Sequence, residues 1–263
     1  MSEGNVAFQR EFYDRHFGQR ELAVRDQLAH PLFRSFNDRT ARLAFAMGLE
    51  GRSLDHPVRF FEVGCGEGLV ADGIHRMAVE LGIDLAYTGL DVSASAVELA
   101  RTHVAGELMV GDAHEVLQGV EPGSQDIVMG KNLLHHLDDP ATFLRQAGRV
   151  VGAGGRIIIF EPNLACPQFL LFNTLAFRRE QHYFKGRRRN LQAFADAGLH
   201  ILRTQQFSWL PYELAFVIRY PWLRRLFSTE DATTIARVSR WDDTLARKVP
   251  ALACYTVWAA TPA

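Results

Sequence analysis

Glycine and acidic residues follow three short apolar runs of the 263-residue chain, one after another. The first run ends in EVGCGEG at positions 62–68, the second in GLDV at 89–92 and the third in GDA at 111–113. Glycines permit a left-handed backbone and let backbone N–H groups approach a ligand closely. Asp91 lies 23 residues beyond Gly68, from where a carboxylate can accept hydrogen bonds from both ribose hydroxyls. Asp112 could accept one from the amine of adenine, so the spacing predicts a nucleotide site.

These residues need a scaffold that brings several strand ends together. From residue 58 onward, short apolar runs alternate with amphipathic segments, which is the pattern of β-α-β units in a mostly parallel sheet. Strands are predicted at residues 58–64, 85–91, 108–110, 126–130 and 156–161. An open parallel sheet binds ligands at the carboxyl ends of its strands, which is where the glycines and acids stand.

Helices are predicted before and between these strands. Residues 1–57 form an N-terminal helical cap, because their apolar side chains fall among charged residues without strand alternation. Further along, Ser95 and Glu98 fit a capping box at the start of a helix. Asp139 followed by Pro140 fits an N-cap and a first-turn proline.

The regular alternation is interrupted twice in the last hundred residues. The interruptions cover about 163–190 and about 207–249. Between and after them we predict a helix at 191–197, a strand at 198–205 and a final strand at 252–259. The last two strands are expected to pair antiparallel.

As a set, the three strand-end motifs resemble those of the class I S-adenosylmethionine-dependent methyltransferases, over about residues 58–163. In that family the first motif is E/D-x-G-x-G-x-G, the second strand ends in an acid, and the third ends in an aspartate near adenine. The resemblance implies a doubly wound, Rossmann-like α/β fold with a seven-stranded, mostly parallel sheet. Here the domain would cover 58–263, after the cap at 1–57 and with helical lid insertions. The cofactor implied is S-adenosyl-L-methionine, and the product is S-adenosyl-L-homocysteine.

The same resemblance implies which residues contact the cofactor. Carried over position by position, they are Glu62, Gly64, Cys65, Gly66, Gly68, Asp91, Val92, Gly111, Asp112, Ala113, Lys131, Asn132 and His136. The glycine loop would border the methionine portion, and Glu62 would orient its amine, directly or through water. Asp91 would hold the ribose, and Asp112 with Ala113 would hold adenine.

Two other interpretations of the glycine loop are less favoured. A nicotinamide dehydrogenase would need G-x-G-x-x-G, and Leu69 stands where its third glycine is required. A tight turn without a ligand would explain the glycines alone. It would leave Asp91 and Asp112 as unrelated coincidences.

Two histidines follow the fourth predicted strand, in LLHHL at positions 133–137. This segment resembles the L-H-H-L form of small-molecule methyltransferases and differs from the Asn/Asp-Pro-Pro-Tyr/Phe form of those that methylate nucleic-acid amines. Histidine suits the removal of a hydroxyl proton. We therefore predict His135 as the catalytic base and Glu161, on the neighbouring strand, as the acid that orients it. The resemblance to sugar O-methyltransferases would favour an aspartate there, and a histidine that caps a helix or packs against the cofactor is an equally weighted alternative.

The two interruptions combine apolar, aromatic and basic side chains. Residues 165–177 are strongly apolar, 178–189 are mostly basic, and 207–225 mix aromatics with arginines. They predict a lid for a bulky lipophilic acceptor with an anionic group, carrier-linked or lipid-linked, or a face that rests on an anionic membrane. A helical subdomain with a basic rim explains them too. Tyr13 and Arg39 of the cap are weaker candidates for contacts at the site.

The predicted function is methylation of a small or lipophilic metabolite, most favourably on oxygen. Transfer to nitrogen or carbon by positioning alone, and a catalytically silent binding or assembly protein, are the alternatives. The net charge of −1 provides no basic field for nucleic acid. The polar start lacks a signal pattern, and no apolar run is long enough to span a membrane, so we expect a cytoplasmic protein. Three cysteines without a C-x-x-C pattern argue against a disulfide framework and against a metal site, while the oligomeric state stays open.

Overall fold

The computed structural model describes most of the chain, namely residues 21–52, 55–152, 154–167, 186–210 and 231–263, together with Ala7, Arg10, Glu11 and Asp14. Most of the predicted apolar and basic insertion after residue 167 lies outside the described residues. So do residues 211–230 and Tyr13. Within the described ranges, no helix is long and apolar enough to cross a membrane.

Within the described residues, the strands form one seven-stranded sheet in the order β3-β2-β1-β4-β5-β7-β6. Their bounds are Val58–Val63 (β1), Leu85–Asp91 (β2), Glu107–Val110 (β3), Ile127–Lys131 (β4), Arg156–Pro162 (β5), Leu199–Phe207 (β6) and Tyr255–Pro262 (β7). Strands β1 to β5 pair in parallel, and β7 runs antiparallel between β5 and β6. The predicted doubly wound, mostly parallel sheet and its antiparallel end are therefore confirmed.

The helices cover both faces of the sheet. In the described ranges they are Glu21–Ala29 (α1), Pro31–Gly48 (α2), Leu69–Leu81 (α3), Ala94–Ala100 (α4), Ala113–Gly119 (α5), Pro140–Val151 (α6), Arg187–Asp196 (α7) and Ala232–Lys248 (α8), with short 3₁₀ turns at Leu134–His136 and Pro250–Leu252. Alternate strand residues enter two separate cores. Phe60 and Ile158 belong to one of them, and Phe61 and Ile157 to the other, which explains why the central strands are apolar throughout.

One helix of the predicted cap packs into the core that contains Phe60. Helix α2 begins with Pro31 at a first-turn position and buries one face that includes Phe36 and Phe45. The ring of Phe45 lies edge-on to Phe60 of β1, with centroids 5.5 Å apart. This helix therefore covers the sheet beside the strand that leads into the glycine loop.

The helix caps follow prediction in one case and depart from it in another. The Asp139 side chain accepts a hydrogen bond from the Thr142 backbone N–H, as expected for an N-cap before Pro140. The capping box of Ser95 and Glu98 was wrong. Ser93 is the N-cap of α4, and its hydroxyl accepts from the Ala96 N–H, because it is Ser93 that has the extended backbone an N-cap requires.

Asp126 fixes the start of β4. Its buried carboxylate accepts hydrogen bonds from Arg52 Nη2 at 2.9 Å and from Arg59 Nε at 3.0 Å. Burial alone would raise the pKa of Asp126, but the hydrogen bonds from Arg59 and Arg52 outweigh it and hold the pKa below 3.8. The ionised form is thus the one that the fold stabilises.

Asp126→Asn is expected to reduce the free energy of unfolding by about 1–3 kcal/mol, less than for a fully buried ion pair because Arg59 is partly exposed. Because the folded pKa is depressed, this stabilisation is present above the unfolded pKa and is lost as the pH falls through the folded pKa. Urea unfolding of the wild type and the variant should show that the difference in their free energies of unfolding is smaller near pH 3 than at pH 7. Asp55→Asn, at an exposed position, is the control. A difference in free energy of unfolding that is the same at both pH values would contradict a stabilising role of the ionised Asp126.

Candidate active site

The glycine loop joins β1 to α3 and is tied to the end of β2. The backbone N–H groups of Gly64 and Cys65 both donate to the Leu90 carbonyl, at 2.7 and 3.0 Å. Gly68 has φ +78°, and a Cβ there would lie 2.6 Å from a methyl of Val104. At Gly66, φ is +51° and a Cβ would meet no described atom within 4 Å. The loop therefore needs glycine for its shape and leaves open space above Gly66.

Asp91, the last residue of β2, lies directly against this loop. Its Oδ2 accepts a hydrogen bond from the Gly66 N–H at 2.8 Å, and its Oδ1 accepts one from the Ser93 N–H at 2.9 Å. Burial raises the pKa of Asp91, and these backbone donors counteract part of that rise. Each carboxylate oxygen has a second lone pair, so the fixed carboxylate can still accept from a diol such as ribose.

Asp112 stands at the next strand end and retains an unused acceptor. Its Oδ1 accepts from the backbone N–H groups of His114 and Glu115, at 2.8 and 3.2 Å. Its Oδ2 is buried and has no hydrogen-bond partner among the described residues. The Gly111 N–H donates to the Asp91 carbonyl at 2.9 Å, which holds the two strand ends together. A buried, unsatisfied acceptor fits the exocyclic amine of adenine, since such groups are costly to leave unpaired.

Glu62 is a buried carboxyl on β1, in the strand that leads into the loop. The hydroxyl of Tyr87 donates to its Oε2 at 2.6 Å. Burial raises the pKa of Glu62 to about 7, although the Tyr87 hydrogen bond and the charge of Lys131 oppose the rise. Removed from water in this way, Glu62 favours a cationic partner such as an amine.

Lys131 ends β4, and Asn132 directly follows it. The Lys131 ammonium lies over the rings of Phe36 and Tyr255, 5.4 and 5.0 Å from their centroids. Asn132 adopts a left-handed backbone with φ +54°, and its N–H donates to the Phe160 carbonyl at 2.9 Å. The left-handed residue turns the chain sharply into the segment that carries the two histidines.

The predicted hydrogen bond between Glu161 and a histidine is present. His135 Nδ1 lies 2.8 Å from Glu161 Oε2, and the two residues are 8% and 1% exposed. The other oxygen, Oε1, accepts from the backbone N–H groups of Leu133 and Leu134 at 2.8 and 2.7 Å. Glu161 thus holds both the imidazole and the turn that presents it.

The remaining predicted residues lie around the same edge. The Cys65 thiol is buried, and burial together with the charge of Asp91 raises its pKa. Ala113 begins α5, and Val92 directly follows Asp91. The rings of His135 and His136 are 4.1 Å apart. The structure therefore places the predicted residues at or next to the carboxyl ends of β1 to β5, and their roles stay predictions.

Three further residues, which were not predicted from the sequence, contact residues of this site. Tyr87 lies on the same side of β2 as Asp91, which the period-two spacing could have indicated. Ser93 was overlooked in favour of Ser95, and Asp14 has no pattern around it that points to a site. The Asp14 carboxylate accepts from the hydroxyls of Ser93 and Ser95 at 2.6 and 2.9 Å, so this residue of the N-terminal segment contacts the loop after Asp91.

Arg39, a weaker candidate, forms ion pairs with two acidic residues of α8. Its guanidinium pairs with Asp242 of α8 at 2.7 Å and also with Asp243. The fully buried Asp242 carboxylate in addition accepts from the N–H groups of Trp209 and Leu210. Arg39 therefore ties α2 to the segment after β6.

Known proteins resemble the central part of the chain. A family profile described as a methyltransferase domain matches residues 61–159. The ubiquinone biosynthesis O-methyltransferase of Alkalilimnicola ehrlichii is 36% identical over 133 residues, which are 49% of this chain and 48% of that protein. The corresponding protein of Paracidovorax citrulli is 30% identical over 167 residues, 57% of this chain and 65% of its own. The chain spans about half the length of most of the curated relatives it matches.

The likeness extends to solved structures. The magnesium protoporphyrin IX methyltransferase of Synechocystis, with bound SAH, superposes with a TM-score of 0.57 at 13% identity, over 98% of this chain and 100% of that chain. At this identity the likeness shows a shared fold. The matched domain agrees with the strand-end motifs of the sequence. Residues 61–159 carry a methyltransferase domain, and the chain has a fold shared with a solved methyltransferase.

Proposed function

We propose that this chain transfers a methyl group from S-adenosyl-L-methionine to an oxygen of a small, lipophilic acceptor. The observation that carries the proposal is the buried pair of His135 and Glu161, 2.8 Å apart, at the sheet edge that also holds Asp91 and Asp112. The acidic residues supply a place for an adenosyl group, and the pair supplies a base.

The cofactor site is proposed on donors and acceptors that match its parts. Asp91 holds the ribose hydroxyls, the unpartnered Oδ2 of Asp112 accepts from the adenine amine, and Glu62 faces the methionine amine. The glycine loop allows close approach of the backbone. When bound, the cofactor supplies an electrophilic methyl group on a sulfonium.

The histidine is set up to accept a proton. In the proposed arrangement His135 Nδ1 donates its hydrogen to Glu161 Oε2, 2.8 Å away, because a carboxylate accepts hydrogen bonds. In that tautomer Nε2 is the basic ring nitrogen, and it takes the proton of an acceptor hydroxyl. Glu161 also stabilises the imidazolium that results. Such a base typically contributes about 10²–10⁴ in rate.

The acceptor is proposed to be a phenol or catechol on an apolar scaffold. The named relatives are ubiquinone biosynthesis O-methyltransferases, and a hydroxyl of lowered pKa suits a histidine base. The proposal also includes a lid over the site, an acceptor that is carrier-linked or lipid-linked, and peripheral contact with a membrane. It further includes a cytoplasmic location and a boundary of the cap at residue 57.

Product detection tests the proposal directly. The purified protein is incubated with the cofactor and a panel of phenols and catechols, and S-adenosylhomocysteine is measured by mass spectrometry. Acceptor-dependent release supports the proposal, and Asp91→Ala should abolish it. Binding of the cofactor without release for any acceptor would instead support the silent binding protein.

Cofactor binding is expected to weaken below pH 7 because of Glu62. In the free protein the pKa of Glu62 is about 7, so in acid a proton must leave before the carboxylate pairs with a cationic amine. Affinity for S-adenosylhomocysteine should fall by up to about tenfold per pH unit below that value. Calorimetry from pH 5.5 to 7.5 would measure it.

Glu62→Gln is the matched variant for this pH dependence. It keeps the size of the side chain and removes the titrating group, so its weaker affinity should be flat over the same range. A wild-type affinity that is equally flat would remove Glu62 from contact with the amine.

A further inference from the structure

Two of the three cysteines meet in space although they are 88 positions apart. The Sγ atoms of Cys166 and Cys254 are 3.7 Å apart, and the residues are 0% and 1% exposed. A disulfide bond measures about 2.0 Å, so the sulfurs are about 1.7 Å from bonding distance. Rotation about the Cα–Cβ bonds of the two cysteines can bring the sulfurs closer by much of this distance.

Asn163 holds the backbone of both cysteines in this arrangement. Its N–H donates to the Cys254 carbonyl at 2.8 Å, and its carbonyl accepts from the Cys166 N–H at 2.9 Å. Its side-chain amide also donates to the Ala253 carbonyl at 2.9 Å. The close approach of the sulfurs therefore belongs to a hydrogen-bonded turn between β5 and β7.

We propose that Cys166 and Cys254 form an oxidation site, at which a peroxide converts two thiols into a disulfide. The first thiolate attacks a peroxide oxygen and breaks the O–O bond, giving a sulfenic acid and one water. The second sulfur then attacks the sulfenic sulfur, the S–S bond forms, and a second water leaves. Two protons and two electrons pass from the thiols to one hydrogen peroxide. A dithiol reductant reverses the reaction.

The disulfide would tie together the ends of three strands. Cys166 follows β5, and Cys254 directly precedes β7. The Cys254 N–H donates to the Ser208 carbonyl at 2.6 Å, and its Sγ lies 3.5 Å from the Trp209 carbonyl, so the segment after β6 is included. Closing an 88-residue loop restricts the unfolded chain strongly. The oxidised protein should therefore be the more stable form.

Peptide mapping after mild oxidation tests the site without any variant. The full chain is treated with hydrogen peroxide, its remaining thiols are alkylated under denaturing conditions, and the digest is analysed by mass spectrometry. The expected product is a cross-linked peptide of Cys166 and Cys254, with Cys65 alkylated as the internal comparison. Dithiothreitol should restore the separate peptides.

Thermal unfolding tests the consequence. Peroxide should raise the Tm of the wild type by several degrees, and dithiothreitol should lower it again. Cys166→Ala and Cys254→Ala should each lose this redox-dependent shift, whatever their own stability. Separate alkylated or sulfinic peptides, or a cross-link to Cys65, would overturn the proposal. Neither assay needs cofactor or acceptor, so the result is independent of the proposed methyl transfer.

Discussion

Asp91→Ala is expected to raise the Kd for S-adenosylhomocysteine by roughly 10²- to 10⁴-fold, because two hydrogen bonds to a charged acceptor are worth about 3–6 kcal/mol together. The variant removes the proposed acceptor of the ribose hydroxyls. It also releases the N–H groups of Gly66 and Ser93, which Asp91 holds at 2.8 and 2.9 Å. Isothermal titration calorimetry at pH 7.5 measures the change.

The same strand offers a matched control for this variant. Asp84 is exposed and directly precedes β2, at the end opposite Asp91. Asp84→Ala should leave the Kd at the wild-type value. Circular dichroism and Tm of both variants separate lost contacts from lost fold. If a folded Asp91→Ala bound the product as the wild type does, the ribose would have to be held elsewhere.

The strands could be predicted because their signals are local. Short apolar runs bounded by glycine, aspartate and serine placed the first strand at 58–64, and β1 covers Val58–Val63. The cap of α4 shows where local patterns become ambiguous. Ser93 and Ser95 both precede the helix, and only the extended backbone of Ser93 decides between them.

The positions of the residues in the strand-end motifs could be predicted for the same reason. Glycines and acids at fixed offsets along one β-α-β unit are forced to one edge of the sheet. The partner of Glu62 was not predictable in this way, since Tyr87 reaches it across neighbouring strands. Contacts between segments that are far apart in the chain leave even less of a pattern in the sequence. Arg39 and Asp242 are 203 positions apart, and their pairing depends on how α2 and α8 cross the sheet.

The proximity of two cysteines could not be predicted from the sequence either. Spacing alone argued against a disulfide framework, yet the sulfurs of Cys166 and Cys254 lie 3.7 Å apart. Only the turn at Asn163, which pairs with the approach to β7, brings two sulfurs together. A pair made by tertiary hydrogen bonds leaves no motif in the sequence.

His135→Ala is expected to lower kcat by about 10²–10⁴, the usual contribution of a positioned base. The reason is that the acceptor hydroxyl would lose the imidazole that takes its proton, while Asp91 and Asp112 would still hold the cofactor. The Kd for S-adenosylhomocysteine should therefore stay at the wild-type value. The rate is measured as product release with a phenolic acceptor at saturating cofactor.

Three variants separate a base from a merely buried histidine. Glu161→Gln keeps the size of the side chain but removes the charge that orients His135 and stabilises its imidazolium, so it should lower kcat as well. His136→Ala, next to it, should affect cofactor binding more than kcat. His200→Ala, an exposed position on β6, should change neither quantity. If His135→Ala kept the wild-type kcat, the transfer would depend on positioning alone, which is the behaviour expected for an acceptor that needs no base, such as an amine or a carbon nucleophile.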